Sequence, residues 1–505
     1  MDKKKLISTI LYVLLVASLF SGCQAAPDTA VVVGKNDGVF ESALNSSAEP
    51  VENANTETFS YTNTFTSTDG KIEFNINDNS IEYSGNPMPV LRVTPHSITP
   101  EEAKTVYTAL FGDTPAYEDT RFEMTKSEIE EEILYFQRTS DYDYIVEETE
   151  KEYEGSAISE AEKEEIIQFR LESRLESLAM YEELYKTAKD EIEIKECQWT
   201  FYPWSHYMPS IANDENLNKT QCIEAMLEYN EIPFYFSVTN RDSDDYRVQW
   251  IKASGISAPM DLAEKEEFDK FMIEQGFYMK EEPTEEQVKN VKEIALDYIE
   301  KMDIGEWEIA ECSAVYYGYY EGYYIDMTLM PIYNGIPVTN LPQLNAITGQ
   351  EEYDSNYYYE KIRFMFSNDG RLMVFDYMGA LDVVEVPNES VAVMSFDEMT
   401  ERIETQLSLD DIGMYQLFGD DPNAPEELTT DKVVMDITDM EFGFARTKVK
   451  DERFDFYLVP SVTLSGSYTM YNESGEALYT YPETNLATPI LVLNLVDGSV
   501  IHYAQ

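Results

Sequence analysis

The chain has 505 residues, 43% of them hydrophobic, so it is long enough for several folded units with real cores. Its formal charge of −61, from 97 acidic against 36 basic residues, excludes nucleic acid as a partner, because phosphates require clustered Lys and Arg. The same balance excludes lying flat on an anionic membrane, and most of the acids read as solubilising surface.

In chain order, Lys3, Lys4 and Lys5 precede an apolar run from Leu6 to Phe20, which ends in Leu19-Phe20-Ser21-Gly22-Cys23. This reads as a lipoprotein signal peptide over residues 1–22, with Cys23 as the lipidated residue, and it predicts an extracellular chain held to the cell membrane by lipid. An ordinary secretory signal cut near Ala25 or Ala26 is the rival. A spanning helix needs about 20 apolar residues, more than this run supplies. Residues 23–58 are rich in Ala, Asn, Ser, Thr and Glu with little apolar periodicity, and predict a disordered tether.

Folded sequence is expected from Phe59. Ile72, Phe74 and Ile76 alternate as in a half-buried strand, followed by short strands near Ser80–Tyr83 and Val90–Val93. Thr99, Pro100 and Glu102 form a capping box before a helix that Gly112 ends, completing an N-terminal α+β segment over 59–116. Residues 117–192 predict a helical insertion. Boxes at Thr125/Glu128 and Ser159/Glu162 start two helices, read as an antiparallel hairpin joined near Gly155.

Residues 193–282 predict another α+β unit, with strands at Cys197–Tyr202, Phe234–Val238 and Tyr246–Ile251 around a helix holding Cys222, Met226 and Leu227. Residues 283–390 predict a helix-plus-sheet module. Thr284 and Gln287 box its helix, and antiparallel strands follow, one hairpin turning at Asn368-Asp369-Gly370. Residues 391–505 repeat the order, with Ser395 and Glu398 boxing a helix before four strands. The fold class is therefore α+β, as tandem units in which a helix covers an antiparallel sheet.

Several stretches together carry a resemblance. They are Asn86-Pro87-Met88-Pro89-Val90 with the Thr99 helix and Leu110-Phe111-Gly112, Thr125-Lys126-Ser127-Glu128-Ile129-Glu130, Tyr333-Asn334-Gly335-Ile336-Pro337-Val338, Ser395-Phe396-Asp397-Glu398, and Asn494-Leu495-Val496-Asp497-Gly498-Ser499. On these the chain resembles a family of clostridial-type Gram-positive lipoproteins known only as a domain of unknown function. Its C-terminal half is also similar to small extracellular helix-plus-sheet regulatory modules, such as peptidase-propeptide domains and auxiliary proteins of sensor kinases. The resemblance implies a compartment and a fold, and carries over no catalytic residue.

The residues themselves identify no reaction. His96, His206 and His502 are widely spaced, without zinc-ligand spacing, and no nucleophile elbow, phosphate loop or dinucleotide fingerprint is present. Cys197, Cys222 and Cys312 are too few and too scattered for a disulfide scaffold, and read as free thiols or at most one bridge. No cofactor is implied. Two clusters stand as binding candidates. Asp242, Asp244 and Asp245 form an acidic turn that could hold calcium but lacks the twelve-residue loop. Tyr316, Tyr317, Tyr319, Tyr320, Tyr323 and Tyr324 could bind a glycan or peptide, or could line both faces of a hairpin with one side in a core. The resulting expectation is a non-enzymatic, lipid-anchored interaction or sensory accessory module with an extracellular protein or wall partner. A cation- or glycan-binding solute protein is the alternative, and a surface hydrolase a third.

Overall fold

A computed structural model describes residues 39–48, 56–120, 123–153, 158–207, 219–230, 232–242, 247–255, 278–317, 322–341, 359–409, 430–450, 452, 454–481 and 488–501. The fold is α+β. The chain begins with α1 (Val39–Leu44), β1 (Glu57–Thr66), β2 (Ile72–Tyr83), β3 (Met88–Pro95), α2 (Pro100–Phe111) and β4 (Tyr117–Glu118). Three helices follow, α3 (Lys126–Thr139), α4 (Tyr142–Glu152) and α5 (Glu160–Tyr185), then β5 (Tyr202–Pro203), β6 (Thr220–Tyr229), β7 (Ile232–Asp242) and β8 (Arg247–Ser254). Next come α6 (Glu285–Met302), β9 (Glu306–Tyr317), β10 (Gly322–Tyr333), β11 (Ile336–Pro337), β12 (Lys361–Phe366), β13 (Leu372–Met378) and β14 (Leu381–Val391). The last elements are α7 (Phe396–Ser408), β15 (Lys432–Lys448), β16 (Phe456–Tyr471), β17 (Ala477–Tyr481) and β18 (Thr488–Asn494). Among the described residues no helix is long and apolar enough to cross a membrane.

All five capping boxes read from sequence form. Thr99, Thr125, Ser159, Thr284 and Ser395 each accept from the backbone three residues on, and the residue there returns the bond. Each satisfies helix N–H groups that would otherwise lack partners, which is why short-range sequence suffices to place these starts. Gly112 closes α2 at φ 63°, a left-handed value that glycine tolerates.

The chain divides into two compact units, and the units do not follow sequence order. The first joins Met1–Leu91 to Val386–Ala445 and Val459–His502; the second joins Arg92–Glu385 to Arg446–Leu458. This corrects the expected linear modules. In the first unit β2 runs parallel to β15, with Phe74 opposite Met435, a pairing across hundreds of residues that has no local signature. Met399, Ile403 and Leu407 of α7 share its core with Phe74, Ile76, Leu464 and Leu491. Phe59 stacks on Phe396 at 4.1 Å.

In the second unit ten strands form one sheet, ordered β11-β10-β12-β13-β8-β7-β6-β4, with β9 beside β10 and β5 beside β6. The expected units 193–282 and 283–390 are thus one layer, joined where Tyr377 of β13 faces Ile251 of β8. Alternation puts Ile325, Met327, Ile362, Phe364, Phe375 and Phe236 on one buried face. Val106 and Leu110 of α2 and Val291, Ala295 and Ile299 of α6 cover that face.

Four local expectations change. The stretch holding Cys222, Met226 and Leu227 is strand β6, not helix: pairing with β7 along its whole length overrides the helix propensity of Glu, Ala, Met and Leu there. Cys197–Tyr202 is irregular, with Trp199 at φ 49°, and only Tyr202 and Pro203 pair. The insertion is a three-helix arrangement in which α3 and α4 both lie along α5, tied by Arg174 to the Thr139 carbonyl at 2.7 Å and Arg170 to Glu152 at 2.7 Å. Finally, α1 lies within the stretch expected to be tether. Asn388 donates to the carbonyls of Ala43 and Leu44 at 3.3 and 3.1 Å, anchoring it to β14. Cys23 and residues 1–22 lie outside the described residues.

Candidate functional site

In the second unit the end of β3, the start of α2, the end of α6 and the ends of β10 and β13 converge on a cavity of about 420 Å³. Its size matches that of small-molecule sites, roughly 300–1,000 Å³. Two polar clusters line it.

The first is built on His96. Its backbone N–H donates to the Ala380 carbonyl at 2.8 Å, which pins it beside the start of β14. Its Nδ1 lies 3.0 Å from Asp382 Oδ1, and its Nε2 lies 3.0 Å from Glu102 Oε1. Burial alone would lower the imidazole pKa, but the bonds to Glu102 and Asp382 outweigh it and hold it above the usual value. Glu102 is also the reciprocal member of the α2 capping box, accepting from Thr99 N and Oγ1 at 2.7 Å each. Burial opposes its charge, yet these bonds and His96 hold it below the ordinary carboxyl range.

The second is built on Glu360, which immediately precedes β12 and is 5% exposed. Tyr377 Oη donates to its Oε1 at 3.0 Å, and the hydroxyl of Tyr333, at the end of β10, donates to Oε2. The Leu381 backbone N–H lies near enough to favour its charged form as well. Burial pushes Glu360 up to about 7, against the two tyrosine hydroxyls, the Leu381 N–H and His96, which favour the charged form. Tyr377 is held in place by Trp307, edge-on at 5.6 Å, whose indole N–H donates to the Ile304 carbonyl at 3.1 Å. Ile304 belongs to the turn that closes α6, where Asp303 sits in the left-handed region at φ 54° and lets the chain reverse into β9.

Among the described residues, Glu101, Glu102, Asp303, Glu306, Glu360 and Asp382 give the cavity six carboxyls against the single basic group His96. Ile98, Val106, Ile251 and Ile332 supply apolar lining. Among the described residues no group of three or more His, Cys, Asp or Glu is arranged to hold a metal ion. His96 explains part of this, since both its nitrogens are already bonded to carboxylates.

The residues nominated from sequence fall elsewhere. Asp244 and Asp245 lie outside the described residues, and Asp242 closes β7 opposite Arg247. Tyr319 and Tyr320 also lie outside them, and the backbone of Tyr317 ends β9. Tyr316 is exposed and faces Tyr323 across the hairpin at 5.0 Å, while Tyr324 is buried, edge-on to Tyr278 at 6.1 Å. The described tyrosines therefore divide between the two faces of the hairpin. The three cysteines are free thiols, Cys222 buried and Cys197 and Cys312 half-buried. Burial raises all three thiols above their usual range, which leaves them protonated. Sequence reasoning gave Glu360, Tyr377 and Asp382 no site role, saw Tyr333 only within a stretch that carries the resemblance, and saw Glu102 only as a cap. No spacing links them, because five separate segments deliver them.

No family model matches the chain, and no curated protein matches it. Among solved structures it is similar to an uncharacterized protein from Eubacterium rectale ATCC 33656, at 11% identity and a TM-score of 0.32, over 92% of this chain and 98% of that one. A likeness at that level identifies neither a family nor a function for this chain.

Proposed function

We propose that this is a lipid-anchored protein of the extracellular face of the cell membrane, that it acts by binding, and that the second unit's cavity receives a small polar ligand. The observation that carries the reading is the cavity itself, where the buried carboxyl of Glu360 and the Glu102–His96–Asp382 chain converge beside apolar side chains. Concave, partly apolar sites with a few fixed polar groups are the usual form of a ligand site. Anchoring rests on the Lys3–Cys23 segment of the sequence.

A second reading, acid–base catalysis by a surface hydrolase, draws on Glu360 and Glu102 being pushed in opposite directions within one cavity. Binding is preferred because the groups are already engaged. Two tyrosine hydroxyls hold Glu360, and both nitrogens of His96 are bonded to carboxylates. An interaction or sensory accessory role is compatible with ligand binding and would use it as the input.

Thermal unfolding of the full chain across small polar solutes tests the reading. Thr105 is exposed on α2 at the cavity lining, so Thr105→Trp plugs the cavity from its rim. Stabilisation of the wild type that disappears in this variant supports the site, by linkage of binding to folding. Stabilisation that survives it places the ligand elsewhere. Membrane fractionation of Cys23→Ala tests the anchor, and retention of that variant in the membrane fraction would contradict it.

A further inference from the structure

We infer that the ligand of this cavity is a small organic cation bearing an ammonium group, seated between Glu360 and the carbonyl end of α6. The inference rests on the reading of the cavity as a ligand site and specifies its chemistry.

The first argument is an unmatched buried charge. Carboxylates that are almost fully buried are normally paired with a cation. The donors to Glu360 are the hydroxyls of Tyr333 and Tyr377, both neutral, and the nearby Leu381 N–H that favours its charge is neutral too. Among the described residues no lysine or arginine lines the cavity. Among the described lining residues His96 is the one basic group, and both its nitrogens are already bonded to Glu102 and Asp382. An ionised carboxylate accepts about four hydrogen bonds, so the two tyrosine donors leave acceptor positions for a ligand.

The second argument is the helix end. Met302, Asp303, Ile304 and Gly305 close α6 and line the cavity. The last carbonyls of a helix lack intrahelical partners and carry the negative end of its dipole, which favours a cation. The opposite end of α2 also reaches the cavity but offers no anion site. Thr99 already accepts from the Glu102 N–H, and Glu101 and Glu102 occupy its first turn.

Size and lining decide between a metal and an organic cation. Among the described residues no three-ligand cluster exists, and about 420 Å³ far exceeds one ion. Ile98, Val106, Ile251 and Ile332 offer contact to carbon, which an ammonium-bearing organic molecule supplies.

A proton signature follows. The titratable groups around Glu360 are Tyr333 on β10, Tyr377 on β13, His96 after β3, Glu101 and Glu102 on α2, Asp382 on β14, Asp303 after α6 and Glu306 on β9. Because burial leaves Glu360 partly protonated near neutral pH, an arriving ammonium favours its charged form and expels a proton.

The test is isothermal titration of the full chain near pH 7, in two buffers of different ionisation enthalpy. The probes are putrescine and glucosamine, beside their uncharged counterparts 1,4-butanediol and N-acetylglucosamine. The expected result is binding of the ammonium compounds at least about tenfold tighter than their counterparts, with proton release. Glu360→Gln, which keeps an acceptor oxygen for one tyrosine and turns an amide N–H to the hydroxyl oxygen of the other, should weaken binding by a similar factor. If that variant fails to fold, proton release by the wild type still decides the matter. Equal binding of the uncharged counterparts, or binding of calcium in place of the amines, overturns the cation assignment. When such binding is still blocked by Thr105→Trp, the cavity reading stands without it. Binding of no probe, or binding indifferent to Thr105→Trp, overturns both.

Discussion

Tyr377 donates its hydroxyl to Glu360 across 3.0 Å, and the two side chains are only 9% and 5% exposed. A carboxyl placed so deeply persists because donors meet it there. Tyr377→Phe removes one of them without changing the packing of the ring. The variant should lose about 1–3 kcal/mol of stability, read by urea denaturation, and Glu360 should titrate higher still in a carboxyl-labelled NMR experiment. An unchanged Glu360 titration would show that the bond does not support the charge.

Stability of the second unit should decline as pH rises from about 5 to about 8. Glu360 titrates near 7 when folded against an ordinary 4.5, so its contribution is complete below about 4.5 and is lost as pH climbs through about 7. His96 is also raised, so its contribution is complete below its usual value of 6.5 and disappears above its folded one. Glu102 is lowered, so its contribution is present above its usual 4.5 and is lost only as pH falls through its lower folded value. Denaturation at several pH values should show Glu360→Gln flattening the decline by up to roughly 3 kcal/mol. Parallel curves for variant and wild type would contradict the burial of this carboxyl.

In the first unit, a Cβ on Gly466 of β16 would sit 2.0 Å from the Asp436 carbonyl oxygen of β15. Backbone cannot yield as a flexible side chain does. Gly466→Ala should therefore cost about 1–3 kcal/mol through forced strand displacement, and a wild-type melting curve would refute the close approach.

Ser395→Ala removes the side-chain acceptor of the α7 capping box while leaving Met399, Ile403 and Leu407 in the core. The expected loss is about 1 kcal/mol, measured by chemical denaturation.

Local chemistry was readable and long-range pairing was not. Ser395 and Glu398 stand three residues apart and announce a helix by themselves, as do the other four boxes. The hairpin at Asn368-Asp369-Gly370 is equally local, with Gly370 at φ 85°. By contrast, the alignment of Phe74 with Met435 is decided only once both strands are present, so the expected linear modules could not survive. β6 shows the same limit, since its composition suits a helix and its neighbour β7 makes it a strand. The candidate site is the extreme case. His96 stood out as one of three histidines, but Glu360 and Asp382 were two among 97 acids until the fold brought them to one cavity.

The most direct test of the cavity as a ligand site is hydrogen–deuterium exchange of the full chain with and without putrescine at millimolar concentration. Protection confined to the start of α2, the turn after α6, and the segments around Glu360 and Tyr377–Asp382 is the predicted result. Protection located in the first unit, or absent from every one of these segments, would contradict it.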